Sequence, residues 1–200
     1  MAPQLILAST SRYRAKLLDT IQIPYRAISP DYDEPPLAGE SPQARSSRHA
    51  EAKAKSVATS ANNLITPESI VIGSDQVAFL GSTMLGKPLT RQAAVDQLTA
   101  TSGKWLAYVT AVCLYRDRKK IWQGRERFDI KFRSLTAKKI NWYVDLDQPL
   151  DCAGSIKAEG LGLCLIKQMR GRDINTLYGL PIIMLMDALE DLGIAFESLL

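Results

Sequence analysis

The chain holds one histidine, His49, among 200 residues. That excludes a zinc site built on several imidazoles. It also leaves a Ser-His-Asp triad with a single candidate base, and no Gly-x-Ser-x-Gly elbow is present to carry the serine. Cysteine is scarce too: Cys113, Cys152 and Cys164 are odd in number and form neither a Cys-x-x-Cys pair nor a zinc ligand set. Cys113 and Cys164 sit in apolar runs and read as small core residues, and the three together as reduced thiols. Long apolar runs are missing. Leu5 to Ala8 is too brief for a signal-peptide core and has no basic region before it. No stretch approaches the roughly 20 apolar residues that cross a bilayer. The expectation is a cytoplasmic protein without a membrane partner.

What is present is a globular composition. Hydrophobic residues make up 46% and charged residues 23%, which builds a core and excludes wholesale disorder. The net charge of +4 suits an anionic partner but does not separate a small phosphate from a nucleic acid. No internal repeat or composition shift divides the chain, so residues 1–200 read as one domain.

Leu5-Ile6-Leu7-Ala8 reads as a buried strand. Ser9-Thr10-Ser11 then offers helix caps, and Tyr13, Leu17, Leu18 and Ile21 recur at helical spacing. Tyr25 to Ile28 reads as a second strand. A proline-rich loop follows, until Ser41-Pro42 opens a helix running to about Asn62. Ser69 to Leu80 is a strand that Gly81-Ser82 turns back. Thr90 caps a helix to about Ala100. Trp105 to Tyr115 and Ile121 to Phe132 form a hairpin around Asp117 to Lys120. Thr136 caps a further helix, Leu161 to Met169 returns as a strand, and Pro181 opens a last helix that Gly193 ends. The fold class is α/β, a mixed sheet flanked by helices; the hairpin argues against an all-parallel sheet.

Candidate chemistry begins at Ser9-Thr10-Ser11-Arg12-Tyr13-Arg14. Backbone N–H groups at a helix start attract anions, and hydroxyls and two arginines stand beside them. Gly81-x4-Gly86-Lys87-Pro88 nearly matches a Walker A loop. Pro88 replaces the Ser or Thr that such a loop needs, so a P-loop ATPase is excluded. Lys87 still offers a point charge to phosphate. Among the acids, Asp75 lies late in an apolar strand, where a charge is costly without a partner. Glu34 lies in the proline-rich loop beside Asp33, and Glu159 between two small-residue stretches. Carboxylate oxygens are the ligands that hard divalent cations prefer. His49 shares a helix face with Arg45 and Lys53, which reads as a partly exposed basic face. Trp105, Tyr108 and Trp122 fall within strands and read as core. They do not interleave with basic residues as a single-strand binder would require.

In order along most of the chain stand Leu7-Ala8-Ser9-Thr10-Ser11-x-x-Arg14, Asp33-Glu34, Arg48-x-Ala50-x-x-Lys53-Ala54, Gly73-Ser74-Asp75-Gln76, Gly86-Lys87-Pro88, Cys152-Ala153-Gly154-Ser155 to Glu159-Gly160-Leu161-Gly162, and Gly179-Leu180-Pro181. Together they resemble the Maf family of nucleotide pyrophosphatases. The resemblance implies an elongated α/β fold like that of inosine-triphosphate pyrophosphatases, a divalent metal (Mg or Mn) and a homodimer. It implies a nucleoside triphosphate split into monophosphate and pyrophosphate. Carried over residue by residue, it places Asp75 as proton acceptor and Glu34 with Asp75 at the metal. Ser9, Ser11, Arg14, Lys53 and Lys87 fall at phosphate.

One subgroup of that family acts on dTTP and UTP, with Thr after the catalytic Asp and Gln at the later position. The other acts on 7-methyl-GTP, with Gln and Glu. Gln76 and Glu159 match the second, and base choice is assigned to Tyr13, Gln76 and Glu159. Two positions depart from the pattern: His49 stands where an apolar residue is usual, and Arg12-Tyr13 replaces a Pro-containing pair. A nucleic-acid-binding or septum-regulating module is the alternative of a different class, supported by the basic pI alone.

Overall fold

An apolar stretch walled off from water on both faces becomes a central strand. Leu5–Ala8 (β1) is one, with all four residues buried. The computed structural model describes residues 3–200. After β1 come α1 (Arg12–Thr20), β2 (Tyr25–Ile28), α2 (Pro42–Ala58), β3 (Ile70–Leu80), β4 (Thr83–Leu85), α3 (Arg91–Thr101) and β5 (Trp105–Arg116). β6 (Lys119–Phe132), α4 (Ala137–Asp147), β7 (Ile166–Arg170) and α5 (Ile182–Asp191) complete the order. The strands lie in the order β2-β1-β3-β5-β6-β7, with β4 on β3. β1 is parallel to β2 and β3, and the other pairs are antiparallel. This is the mixed α/β sheet that the hairpin required.

Local chemistry sets the boundaries. Ser11, Ser41, Thr90 and Thr136 each cap a helix by accepting the backbone N–H three residues on. Asp117 and Arg118 both take positive φ, which matches the twist of a tight hairpin between β5 and β6. Alternation along β3 then assigns its faces. Ile70 and Ile72 join Leu18, Leu185 and Leu189 in a cluster under α1 and α5. Val71 joins Ala50, Ala54 and Val57 under α2. Gly73 lets α2 lie close: a Cβ there would stand 2.7 Å from Ala54 N and also strike the Ala50 carbonyl oxygen. Farther along, Leu106, Tyr108, Phe128, Ile130 and Phe132 pack with residues of α3 and α4 in a separate cluster.

Several sequence readings change. The helix from Pro42 stops at Ala58, because the Thr59 and Ser60 hydroxyls bond back to the Lys55 and Val57 carbonyls and compete with further helix. Residues 161–165 form a 3-10 turn, and strand begins only at Ile166. The Gly160 and Gly162 N–H groups both bond the Lys157 carbonyl, winding the chain tightly there. Cys164, on that turn, is exposed and not a core residue, whereas Cys113 is buried as expected. Tyr108 is core, but Trp105 and Trp122 are only half-buried. Trp105 lies under the Arg170 guanidinium at 4.4 Å. His49 is the largest change: it is 3% exposed and belongs to no solvated face. Among the described residues, no helix is long and apolar enough to cross a membrane.

Candidate active site

On one edge, β3 pairs with β1 as far as Leu7 opposite Ile72, and with β4 from Ala78 opposite Leu85. Residues 73–77 have no ladder partner on that edge. A cleft of about 830 Å³ opens over the gap, within the ~300–1,000 Å³ typical of small-molecule sites. Asp75 and Gln76 point to opposite faces of β3, yet both line this cleft. The free edge resolves the conflict that strict alternation poses, because side chains from either face reach round it.

The turn after β1 forms one wall. Ser9 is buried, and its Oγ accepts from the Ser11 N–H at 3.1 Å and from Arg14 Nη1 at 3.2 Å. The Ser11 hydroxyl oxygen caps α1. Arg14 Nε donates to the Gly179 carbonyl at 2.8 Å, and that carbonyl also accepts from Ser74 Oγ at 2.8 Å. The guanidinium is thus fixed before any ligand arrives. Burial lowers the Arg14 pKa, while Asp75 and Glu34 oppose that shift.

The opposite wall is α2 with the loop before it. Lys53 Nζ lies 2.7 Å from Asp75 Oδ1 and 2.6 Å from Glu34 Oε1. Lys53 and Asp75 are buried, while the Glu34 side chain is 53% exposed. Burial acts to raise the Glu34 pKa, but the Lys53 hydrogen bond and charge, with His49 and Lys87, bring it below the ordinary value. An ammonium has three donors, and these two acids use two of them. Lys87 is exposed at the cleft rim. Gly81 occupies the tight turn between β3 and β4 at positive φ, as a hairpin glycine does, so the Walker-like spacing wraps no phosphate loop.

Tyr13, Gln76 and Glu159 all line the cleft. Tyr13 carries the Arg12 guanidinium over its ring at 5.0 Å, and its hydroxyl lies 3.6 Å from Cys152 Sγ. Partial burial pushes its phenol pKa up to about 12. Gln76 spends its amide nitrogen on the Thr176 carbonyl (2.6 Å), the Leu177 carbonyl (3.1 Å) and Thr110 Oγ1 (3.2 Å). Glu159 is exposed, and its charge reaches Tyr178 and Cys152. All ten candidate residues read from the sequence therefore meet in one cleft, and Asp33 does not line it. Tyr32, Tyr178, Asp151 and Met84 line it unannounced. Tyr32 and Tyr178 lay beside the Asp33-Glu34 and Gly179-Leu180-Pro181 stretches, which was the available signal.

Among the described residues no group of three or more His, Cys, Asp or Glu side chains is placed to hold a metal. Glu34 and Asp75 alone are a poor cage. Mg²⁺, however, is commonly held by one or two carboxylates together with substrate phosphates. The donor set fits a cation that arrives with a polyphosphate.

A family model described as Maf-like protein matches residues 4–192. The 7-methyl-GTP pyrophosphatase of Vibrio vulnificus (strain CMCP6) is 45% identical over 195 residues, covering 95% of each chain. The 7-methyl-GTP pyrophosphatase of Idiomarina loihiensis is 43% identical over 195 residues, covering 97% of each. Among solved structures, the Staphylococcus aureus Ham1 protein overlaps 66% of this chain and 72% of its own at 15% identity, with a TM-score of 0.43. The nucleoside-triphosphatase / dITP/XTP pyrophosphatase from Mycobacterium abscessus overlaps 66% and 75% at 14% identity, with a TM-score of 0.38.

Proposed function

The chain belongs to the Maf-like family, and from that premise we propose that it hydrolyses 7-methyl-GTP to 7-methyl-GMP and pyrophosphate. The observation that carries the reading is Lys53 held between Glu34 and Asp75 in a cleft that Arg14 and Lys87 also line. Phosphoryl transfer asks a protein for charge neutralisation and positioning, more than for covalent chemistry. Fixed cations beside acids supply both.

Water attacks the α-phosphorus, the bond to the α–β bridging oxygen breaks, and pyrophosphate leaves. Asp75 accepts the proton of the attacking water. Arg14, Lys87 and the third donor of Lys53 hold phosphate oxygens, with the Ser9 and Ser11 hydroxyls beside them. Glu34 and Asp75 would hold a Mg²⁺ or Mn²⁺ ion, which when bound lowers the pKa of the attacking water. An unperturbed aspartate, with a pKa of about 3.9, is otherwise a weak base at neutral pH.

Glu159 and Tyr13 face the base. Methylation at N7 makes guanine a cation, which a carboxylate favours, and Glu accepts from the N1–H and N2–H₂ edge. Gln76 and Glu159 also match the 7-methyl-GTP subgroup, not the one acting on dTTP and UTP. A homodimer and a cytoplasmic location belong to the same reading, and sedimentation measures the first. The nucleic-acid reading gains nothing from a cleft that sets Glu34, Asp75 and Glu159 among its cations.

A panel of nucleoside triphosphates, with both products identified by chromatography, tests the proposal. Orthophosphate as the primary product overturns it, and so does full turnover in EDTA for the metal.

A further inference from the structure

The one histidine of this chain has a ring nitrogen with no hydrogen-bond partner among the described residues. His49 lies on α2, four residues before Lys53, so the two project from the same helix face. Its side chain lines the cleft, although only 3% of the residue is exposed. Nδ1 lies 3.0 Å from the Tyr32 hydroxyl. Nε2 makes no hydrogen bond among the described residues, and it is not among the occluded polar atoms left without a partner. It therefore opens on the cleft.

Counting protons assigns the tautomer. Arg48 Nη1 donates to the Tyr32 hydroxyl oxygen at 3.0 Å, and a guanidinium only donates. Arg48 is itself clamped by both Glu40 carboxylate oxygens at 2.7 Å and by the Pro35 carbonyl at 3.0 Å. The Tyr32 proton then has one acceptor within reach, His49 Nδ1. A neutral imidazole with Nδ1 accepting carries its proton on Nε2. Burial also lowers the His49 pKa, with Arg48 adding to that and Asp75 opposing, so the neutral ring is favoured. The chain Glu40–Arg48–Tyr32–His49 thus presents an N–H donor to the cleft.

We propose that His49 is a substrate-binding residue whose Nε2–H donates to a non-bridging oxygen of the polyphosphate, beside Lys53. Its place on α2, one turn before Lys53, sets it at the phosphate end of the cleft. A neutral donor suits that place. It holds a phosphate oxygen without drawing Glu34 or Asp75 from Lys53. The assignment rests on the pyrophosphatase reading for the identity of the ligand.

With a single histidine, the test is direct. Untagged protein labelled with ¹⁵N-histidine should give one imidazole in a long-range ¹H–¹⁵N spectrum at neutral pH, bare at Nδ1 and protonated at Nε2. Inorganic pyrophosphate with Mg²⁺ should shift the Nε2 signal. By calorimetry, His49→Leu should weaken pyrophosphate binding about tenfold, the scale of one hydrogen bond to a charged group. His49→Gln, which keeps a donor at similar reach, should recover most of the loss. Protonation at Nδ1 overturns the proposal, as does an Nε2 signal indifferent to pyrophosphate or a Leu variant that binds like the parent. If no triphosphate is turned over while Nε2 still responds to pyrophosphate, the hydrolase reading fails and the anion contact stands.

Discussion

Lys53 and Asp75 form a buried ion pair across 2.7 Å, on two elements that a glycine allows to touch. Removing one member of such a pair strands the other charge. Lys53→Ala should therefore lose stability as well as activity. The expected cost is about 1–3 kcal/mol, below the ~3–5 of a fully dry pair because the cleft admits water. Lys87 is exposed at the rim and forms no buried ion pair among the described residues. Lys87→Ala should lower kcat/KM with an unchanged urea midpoint. Comparing the two midpoints checks the contrast, and equal midpoints would count against it.

Gly73→Ala should be among the most damaging single-methyl additions in the chain. The new Cβ would meet Ala54 Cβ at 2.8 Å and backbone atoms of α2, none of which is a flexible side-chain tip. Overpacking of this kind costs about 1–3 kcal/mol. Because α2 carries both Lys53 and His49, activity should fall further than stability alone accounts for. Thermal melts paired with assays well below Tm separate the two losses.

These residues also mark how far the sequence could be read. Caps, strands and the hairpin were legible because each rests on local chemistry: Ser11, Ser41, Thr90 and Thr136 act on the next turn of backbone. The ten candidate residues were picked out partly by local chemistry, as at the Ser9-Thr10-Ser11 turn and at Asp75, and assigned their roles through motif order. What escaped was long-range. Nothing near His49 says that the Tyr32 hydroxyl will cover it, so Arg45 and Lys53 made its face look solvated. Lys53 read as part of that basic face because Asp75, its buried partner, lies 22 residues away in sequence. Leu161 to Leu165 read as strand because apolar content does not show two glycine N–H groups converging on one carbonyl.

Acid should loosen the loop that carries Glu34. Glu40 is held below the ordinary carboxylate range, first by its hydrogen bonds from Arg48. A carboxyl depressed in the folded state contributes stability above its unfolded value, about 4.3, and loses it as pH falls through the folded value. Wild-type Tm should drop more steeply than that of Glu40→Gln between about pH 5 and pH 3. Parallel acid limbs for the two proteins would remove Glu40 from the account.

Base choice should divide between a residue that positions and one that touches. Gln76 ties β3 to the Thr176 and Leu177 carbonyls, next to Tyr178. Gln76→Ala should lower kcat/KM for 7-methyl-GTP and GTP by a similar factor. Glu159→Gln should lower it for 7-methyl-GTP more than for GTP, narrowing the preference. A uniform loss in the Glu159 variant would contradict the carboxylate's role at the cationic base.

In the proposed reaction Asp75 takes the proton while 7-methyl-GTP loses pyrophosphate. Asp75→Asn tests it most directly, since the amide keeps the shape and an oxygen that accepts from Lys53 but surrenders the base. With the fold verified by its melting curve, pyrophosphate release from 7-methyl-GTP in Mg²⁺ or Mn²⁺ is the measurement. The account predicts a fall in kcat on the order of 10²–10⁴, the range typical of a positioned general base. Release at a near-normal rate would contradict it.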